Sequence, residues 1–240
     1  MGLTAQKGMR GFQKGLRATE IVIRLVGGGL PEVELAELVG KYSEHFVPEI
    51  LDHICMPPYV AGQPHHHDDY DTLAKVVKRW EPKSIVELGT AHGNTVANLC
   101  ALRPDAVIHT VNAPSSMQTG VSVTFRLTEE EIGMVYRAHG FQDRVRQVFC
   151  NTLDLDLGQW VKPMSVDLAI VDACHDTDYV LNDFLKVESF IRSGGIVLLH
   201  DTGRKLWQHL AGSYLACLRL RRRGYDIRHI RGTWWAYWVA

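Results

Sequence analysis

The residues best equipped for chemistry in this chain are two acids and two imidazoles at the ends of apolar runs. Asp172 and His175 follow Val166–Val171, and His200 with Asp201 follows Ile196–Leu199. Imidazole is the side chain whose ordinary pKa lies closest to neutrality, so either histidine could take a proton from a hydroxyl at physiological pH. A carboxylate beside it could orient it, or hold a divalent cation through oxygen. The plainer account is that Asp172 and Asp201 cap neighbouring helices or turns and that His200 is a hydrogen-bonded interior residue.

A second constellation is Glu87-Leu88-Gly89-Thr90-Ala91-His92-Gly93-Asn94, which places an acid at a strand's end, then two glycines four apart, then a helix start. Glycine at such positions lets the backbone turn sharply and approach a ligand closely. The helix that follows offers free N–H groups at its N-terminus. A lone glycine pair is also compatible with a purely structural turn.

Both constellations need a scaffold that brings distant strand ends together. The pattern predicts a helix over Tyr70–Trp80, a strand over Ser84–Leu88, a helix over Gly93–Leu102 and a strand over Val107–Val111. It continues with a helix over Thr128–His139, strands over Val145–Phe149 and Val166–Asp172, and a helix over Tyr179–Ile191. A strand over Gly195–His200, a helix over Lys205–Arg223, and strands over Asp226–Ile230 and Trp234–Val239 close the chain. Strands alternating with helices, several of them continuously apolar, imply an α/β fold with a mostly parallel sheet covered on both faces. In such a sheet ligands bind at the carboxyl ends of adjacent strands, where Asp172, His200 and Asp201 should converge.

The first 69 residues read as an accessory segment and 70–240 as the main domain. Ile21, Ile23, Leu25 and Val26 precede the Gly27-Gly28-Gly29 break, and Pro31 opens a stretch with Val33, Leu35, Leu38 and Val39 at helical spacing. From Asp52 to Asp69 prolines and histidines predict a loop, with Asp68 or Asp69 as N-cap of the next helix.

With a net charge of -1, nothing in the overall composition points to a nucleic-acid or membrane partner. The longest apolar runs are strand-sized, which argues against a membrane span. The five cysteines are scattered with no C-x-x-C pair, so they read as reduced thiols in a cytoplasm. Lesser signals have plain explanations. Pro64-His65-His66-His67-Asp68-Asp69 could bind metal but suits a solvated loop, and Pro114–Thr124 could close over a ligand or be a surface excursion. Arg219, Arg221, Arg222 and Arg223 suit a solvated helix end. Trp234, Trp235, Tyr237 and Trp238 suit core packing or a subunit interface.

The run E-x-G-x-x-x-G after the first strand of the main sheet resembles motif I of class I S-adenosylmethionine-dependent methyltransferases and differs from the G-x-G-x-x-G of dinucleotide dehydrogenases. The resemblance covers roughly Tyr70–Ala240. It implies a Rossmann-like, mostly parallel seven-stranded sheet with helices on both faces, closed by a terminal strand pair with one member antiparallel. It also implies that Glu87 lies near the methionine amino group and that Gly89, Thr90, Ala91, His92, Gly93 and Asn94 pass beneath the nucleoside. Two positions depart from the family pattern: Asn112 stands where an acid usually receives the ribose hydroxyls, and Asn151-Thr152 where an acid usually faces the adenine amino group. An amide oxygen still accepts hydrogen bonds there but carries no charge.

The stretch from Asp172 through His175 and the Gly194-Gly195 turn to His200-Asp201 is similar to the macrocin O-methyltransferase type and its natural-product and sugar relatives. That similarity implies a divalent cation held by Asp172, His200 and Asp201, and His175 as general base. Because His200 replaces an acid, the set favours a softer ion such as manganese over magnesium, or leaves Asp172 and Asp201 as the main ligands. The expectation is methyl transfer to a hydroxylated small molecule, a sugar or polyketide-like natural product, with no nucleic-acid or membrane partner and with room for a homodimer. Two other readings stay open: a non-methylating reaction on the same fold, and a noncatalytic partner subunit.

Overall fold

A computed structural model describes residues 29–43, 64–117, 126–202 and 211–240. Its strands are β1 (Glu32–Val33), β2 (Ser84–Leu88), β3 (Val107–Asn112), β4 (Val145–Phe149), β5 (Val166–Val171), β6 (Ile191–Leu199), β7 (Arg228–Ile230) and β8 (Ala236–Val239). The helices are α1 (Leu35–Val39), α2 (Pro64–Trp80), α3 (Asn94–Leu102), α4 (Met134–Ala138), α5 (Thr177–Glu188) and α6 (Ala211–Arg222). All strands join one sheet in the order β1-β7-β8-β6-β5-β2-β3-β4. Every pairing is parallel except those of β8, which runs antiparallel to both β6 and β7.

The central strands carry continuous apolar runs, Leu168–Val171 in β5 and Ile196–Leu199 in β6, because both of their faces are covered. Along β5, Leu168 and Ile170 enter one core with Val76, Val96 and Ile108. Ala169 and Val171 enter the other, with Val180, Phe184 and Ala216. The same alternation in β6 sends Ile196 and Leu198 to the first core, and Val197 and Leu199 to the second. Period-two side chains thus feed two hydrophobic layers, and the sheet between them stays dry.

The sheet has eight strands where seven are expected. The extra one is β1, whose Val33 was expected on a helix. Pro31 O accepts from His229 N at 2.8 Å and Val33 O from Arg231 N at 2.9 Å, so this short piece is recruited by the open edge of β7. Two residues are too few to show a strand's alternation. Of the expected accessory helices, only α1 and a short 3-10 turn at Gly40–Ser43 lie within the described residues.

Helix α2 starts at Pro64, six residues before the expected start at Tyr70. Proline is welcome at a helix's first position, since its missing N–H would lack a partner there anyway. Asp69 is therefore inside the helix and is not its N-cap. The expected helix over Thr128–His139 shortens to α4. Gly133, at φ +75, adopts the left-handed conformation and breaks the helical run between Thr128 and Met134. The expected loop Pro114–Thr124 begins with a 3-10 turn, Ser115–Met117, and 118–125 lie outside the described residues. Likewise α6 is described from Ala211, and 205–210 lie outside. Strand β6 begins at Ile191, where helix was still expected, and carries the Gly194-Gly195 pair within it. Its register against β5 shifts between Val166 and Leu168, which absorbs the extra residues.

Candidate active site

The glycine loop joins β2 to α3 and is packed from three sides. Gly89 has φ +109, and a Cβ placed there would lie 2.1 Å from the carbonyl oxygen of Asp172. Its N–H donates to Val111 O at 2.8 Å, so the loop is wedged between the tips of β3 and β5. Gly93, also left-handed, precedes α3, and a Cβ there would meet Tyr136 at 2.7 Å. The carbonyls of Ala91 and His92 accept from Gly133 N and Val135 N. The turn before α4 thereby buttresses the loop, while Asn94 opens α3.

The acid at the end of β2 is almost wholly buried. Thr110 Oγ1 donates to Glu87 Oε2 at 2.5 Å, Thr110 is bonded to Thr90 Oγ1 at 2.7 Å, and Gln147 Nε2 donates to Thr90 Oγ1 at 3.0 Å. Burial raises the pKa of Glu87 to about 8, and the nearby Asp172 charge adds to the rise against the Thr110 hydrogen bond. A cation brought to this carboxylate would find it ready to ionise.

The two asparagines that replace family acids are both used by the protein itself. Asn112 Oδ1 accepts from Ala91 N at 3.1 Å, and its Nδ2 donates to Ala113 O at 2.9 Å. It thereby holds the glycine loop, whose Ala91 has φ +45. Asn151 Oδ1 accepts from Leu153 N at 3.0 Å and closes a local turn. The buried Thr152 follows, and helix α5 grips this turn. Asn182 Nδ2 donates to Thr152 O at 3.1 Å, and Lys186 Nζ donates to Leu153 O and Leu155 O at 2.7 Å each.

Beside Gly89, the tips of β5 and β6 bring together the acids and imidazoles that the sequence singles out. Asp172 leaves β5 with its N–H bonded to Leu88 O. His175 Nε2 lies 2.8 Å from Asp201 Oδ2 and 3.9 Å from Asp172 Oδ1. His200 Nδ1 lies 3.4 Å from Asp172 Oδ1 and 3.4 Å from Asp201 Oδ1. Asp201 has φ +57, a left-handed conformation uncommon for a residue with a side chain, and it turns the carboxylate back toward His175.

The electrostatics follow from that packing. Burial alone would lower the pKa of His175, but its hydrogen bonds and charge contacts with Asp172 and Asp201 lift it to about 10. His200 is likewise raised well above its ordinary value, against burial, by the charges of Asp172 and Asp201. Asp172, which burial would raise, is held well below the usual carboxylate range by His200 and His175. Carboxylates and imidazoliums neutralise one another here, as buried charges must.

Among the described residues, Asp172, His175 and Asp201 form a metal-compatible trio whose ligating atoms lie within 4.8 Å of one another. That spread suits one ion with bonds of roughly 2.0–2.3 Å, and one nitrogen with two oxygens suits manganese, iron or zinc better than magnesium. His200 adjoins the trio with Nδ1 and faces Asp69 with Nε2.

Sequence reasoning missed three residues of this neighbourhood. Asp69 on α2 reaches His200 Nε2 at 3.2 Å. Trp235 packs on the His200 ring with centroids 4.3 Å apart. Tyr70 is hydrogen-bonded to Thr95, and burial, reinforced by the charges of Asp172, Glu87 and Asp69, pushes its hydroxyl pKa up. No spacing in the sequence links α2 to the strand tips, so only the tertiary structure could reveal them. The side chains of residues 64–68 lie outside the described part.

Residues 86–202 match the model of a methyltransferase domain, which spans the glycine loop and the whole acid–histidine cluster. No curated protein matches the chain. Among solved structures, the chain is similar to the O-methyltransferase TomG from Streptomyces achromogenes, solved in complex with S-adenosylmethionine. Identity is 15%, with 86% of this chain and 96% of that one covered and a TM-score of 0.57. It is similar to the Podospora anserina methyltransferase PaMTH1, solved with S-adenosylhomocysteine, at 15% identity, covering 86% and 94% with a TM-score of 0.56. It is similar also to CalS11, a calicheamicin methyltransferase, at 16% identity, covering 85% and 91% with a TM-score of 0.55. At these identities the likeness is one of fold, and the matched domain supplies the motifs on that fold. Residues 86–202 thus form a methyltransferase domain, on a fold shared with S-adenosylmethionine-dependent methyltransferases.

Proposed function

We propose that this enzyme transfers the donor's methyl group to a hydroxyl of a small molecule, a sugar or a polyketide-like natural product. The observation that carries the reading is the His175–Asp201 pair at 2.8 Å, set directly beside the glycine loop that contacts Asp172. TomG is described as taking part in tomaymycin synthesis and CalS11 as a TDP-rhamnose 3'-O-methyltransferase, which supports an acceptor of that chemical kind.

In this reading the glycine loop and Glu87 hold the donor, and the acceptor hydroxyl lies over the strand tips. Its oxygen attacks the sulfonium methyl in line. The O–C bond forms as the C–S bond breaks, the pair of electrons returns to sulfur, and the hydroxyl proton passes to His175. Asp201 holds the imidazole in place and stabilises the imidazolium so formed, while Asp172 anchors the acceptor. Between two carboxylates His175 retains its proton, so it becomes a competent base once their charges are compensated. A divalent cation held by Asp172 and Asp201 would supply that compensation and lower the pKa of the hydroxyl it touched.

Incubation with methyl-labelled S-adenosylmethionine and a panel of hydroxylated sugars and polyphenols tests the assignment. The expected product is a labelled ether. His175→Ala should lower its formation by about 10²- to 10⁴-fold while S-adenosylhomocysteine still binds. Tight donor binding with no transfer to any acceptor would sink the reading.

A further inference from the structure

Asp69 lies outside the matched methyltransferase domain, yet it is buried and all its acceptor atoms are in use. Its Oδ1 accepts from Trp234 N at 3.0 Å, and its backbone carbonyl accepts from the Trp235 indole Nε1 at 3.1 Å. The remaining oxygen, Oδ2, lies 3.2 Å from His200 Nε2. We propose that Asp69 is a positioning residue for the reaction centre: by accepting the Nε2–H of His200 it turns Nδ1 toward the carboxylates of Asp172 and Asp201.

The argument is one of hydrogen-bond polarity. A carboxylate within bonding distance only accepts, so the imidazole nitrogen facing it must carry a proton, whether the ring as a whole is neutral or charged. Nε2 is therefore committed to Asp69, and Nδ1 is the only nitrogen of His200 able to exchange a proton or accept from a group in the site. Nδ1 stands 3.4 Å from both Asp172 and Asp201, midway between the acids that the proposed reaction uses. Trp235 removes the remaining freedom, because its indole packs on the ring while its N–H holds the Asp69 carbonyl. The arrangement matches the outer-shell carboxylate that fixes tautomer and ring orientation behind a functional histidine. It also explains why a helix preceding the matched domain is part of the working site: α2 delivers the acid, and the turn between β7 and β8 locks it.

That Nδ1 serves catalysis rests on the methyl-transfer reading above, whereas the orientation of His200 does not. Asp69→Asn separates the two roles that the carboxylate could have. With its amide oxygen accepting from Trp234 N as before, the Asn places an NH₂ donor where Oδ2 stood. The two bonds to the β7–β8 turn survive, but His200 Nε2 now faces a donor and becomes the acceptor, which leaves the ring with its proton on Nδ1 alone.

Long-range proton–nitrogen NMR of the full chain labelled with ¹⁵N-histidine reads this directly, with His200→Gln identifying the resonances. The expected result is a protonated Nε2 in the native protein and a proton-free Nε2 in Asp69→Asn. Cooperative melting and S-adenosylhomocysteine affinity should remain within about threefold of native. With any acceptor that takes label, turnover should fall roughly 10- to 100-fold. A folded Asp69→Asn protein whose Nε2 stays protonated would overturn the proposal. So would loss of cooperative folding or of S-adenosylhomocysteine binding, because Asp69 would then serve the fold alone. If no acceptor takes label, the methyl-transfer reading fails, and the ring measurement still decides the role of Asp69.

Discussion

His175 and Asp201 stand at the tips of adjacent parallel strands, and the imidazole Nε2 approaches the carboxylate Oδ2 to 2.8 Å. Twenty-six positions apart in the chain, they are joined because β5 and β6 pair in parallel and end together, with Val171 opposite Leu199.

Stability should depend on pH through this pair. The pKa of His175 is raised from 6.5 to about 10, against burial, by its bonds and charge contacts with Asp172 and Asp201. A base raised on folding contributes stability that is fully present below pH 6.5 and is lost as the pH rises through 10. Asp201→Asn keeps the left-handed backbone, which asparagine tolerates, and removes one of the charges. In chelator-treated protein its melting temperature should lie below native at pH 6, and the gap should close toward pH 10. Melting curves across that range check this, and a gap independent of pH would contradict it.

Donor binding should release a proton at pH 7. The pKa of Glu87 stands at about 8, raised by burial and by the Asp172 charge, so much of it is protonated in the free protein. If the ligand's ammonium group settles against it, as the family pattern implies, the carboxylate form is favoured and the proton leaves. Affinity for S-adenosylhomocysteine should therefore increase from pH 6 to pH 8. Calorimetry in two buffers of different ionisation enthalpy counts the protons. Glu87→Gln should bind roughly tenfold to a hundredfold more weakly, the loss of a charge-assisted hydrogen bond, and should show no proton release.

Gly212 on α6 should be intolerant of a methyl group for a reason that bears on catalysis. A Cβ there would lie 2.0 Å from the carbonyl oxygen of His175 and 2.9 Å from Thr177 N. Gly212→Ala must push apart α6 and the segment carrying the proposed base, at about 1–3 kcal/mol of overpacking. Urea denaturation should show the loss. Methyl transfer should fall further than S-adenosylhomocysteine affinity, because the donor loop lies elsewhere. Equal losses in both would show that the displacement does not stay local.

The central sheet was legible because its inner strands are buried on both faces and carry continuous apolar runs, as in Leu168–Val171 and Ile196–Leu199. The glycine loop was legible because Gly89 and Gly93 occupy conformations and close contacts that few other residues accept. Strand β1 was not, since two residues carry no period and its pairing is set by the open edge of β7. The start of α2 was misread because Pro64 signals a break inside a helix but a beginning at its first position. Asn112 and Asn151 were legible as departures from a family pattern. Their structural duties toward Ala91 and Leu153 appeared only with the backbone in place.

By itself the sequence determined which polar groups stand at strand tips, because hydrophobic periodicity locates strands and marks where they end. It did not determine which of those groups touch. Asp69 and His200 are 131 positions apart, on a helix and a strand tip with no shared period, and Trp235 reaches both from the closing hairpin. Their meeting depends on how α2 packs against the sheet, which is a property of filled volume across the whole core and not of any local spacing.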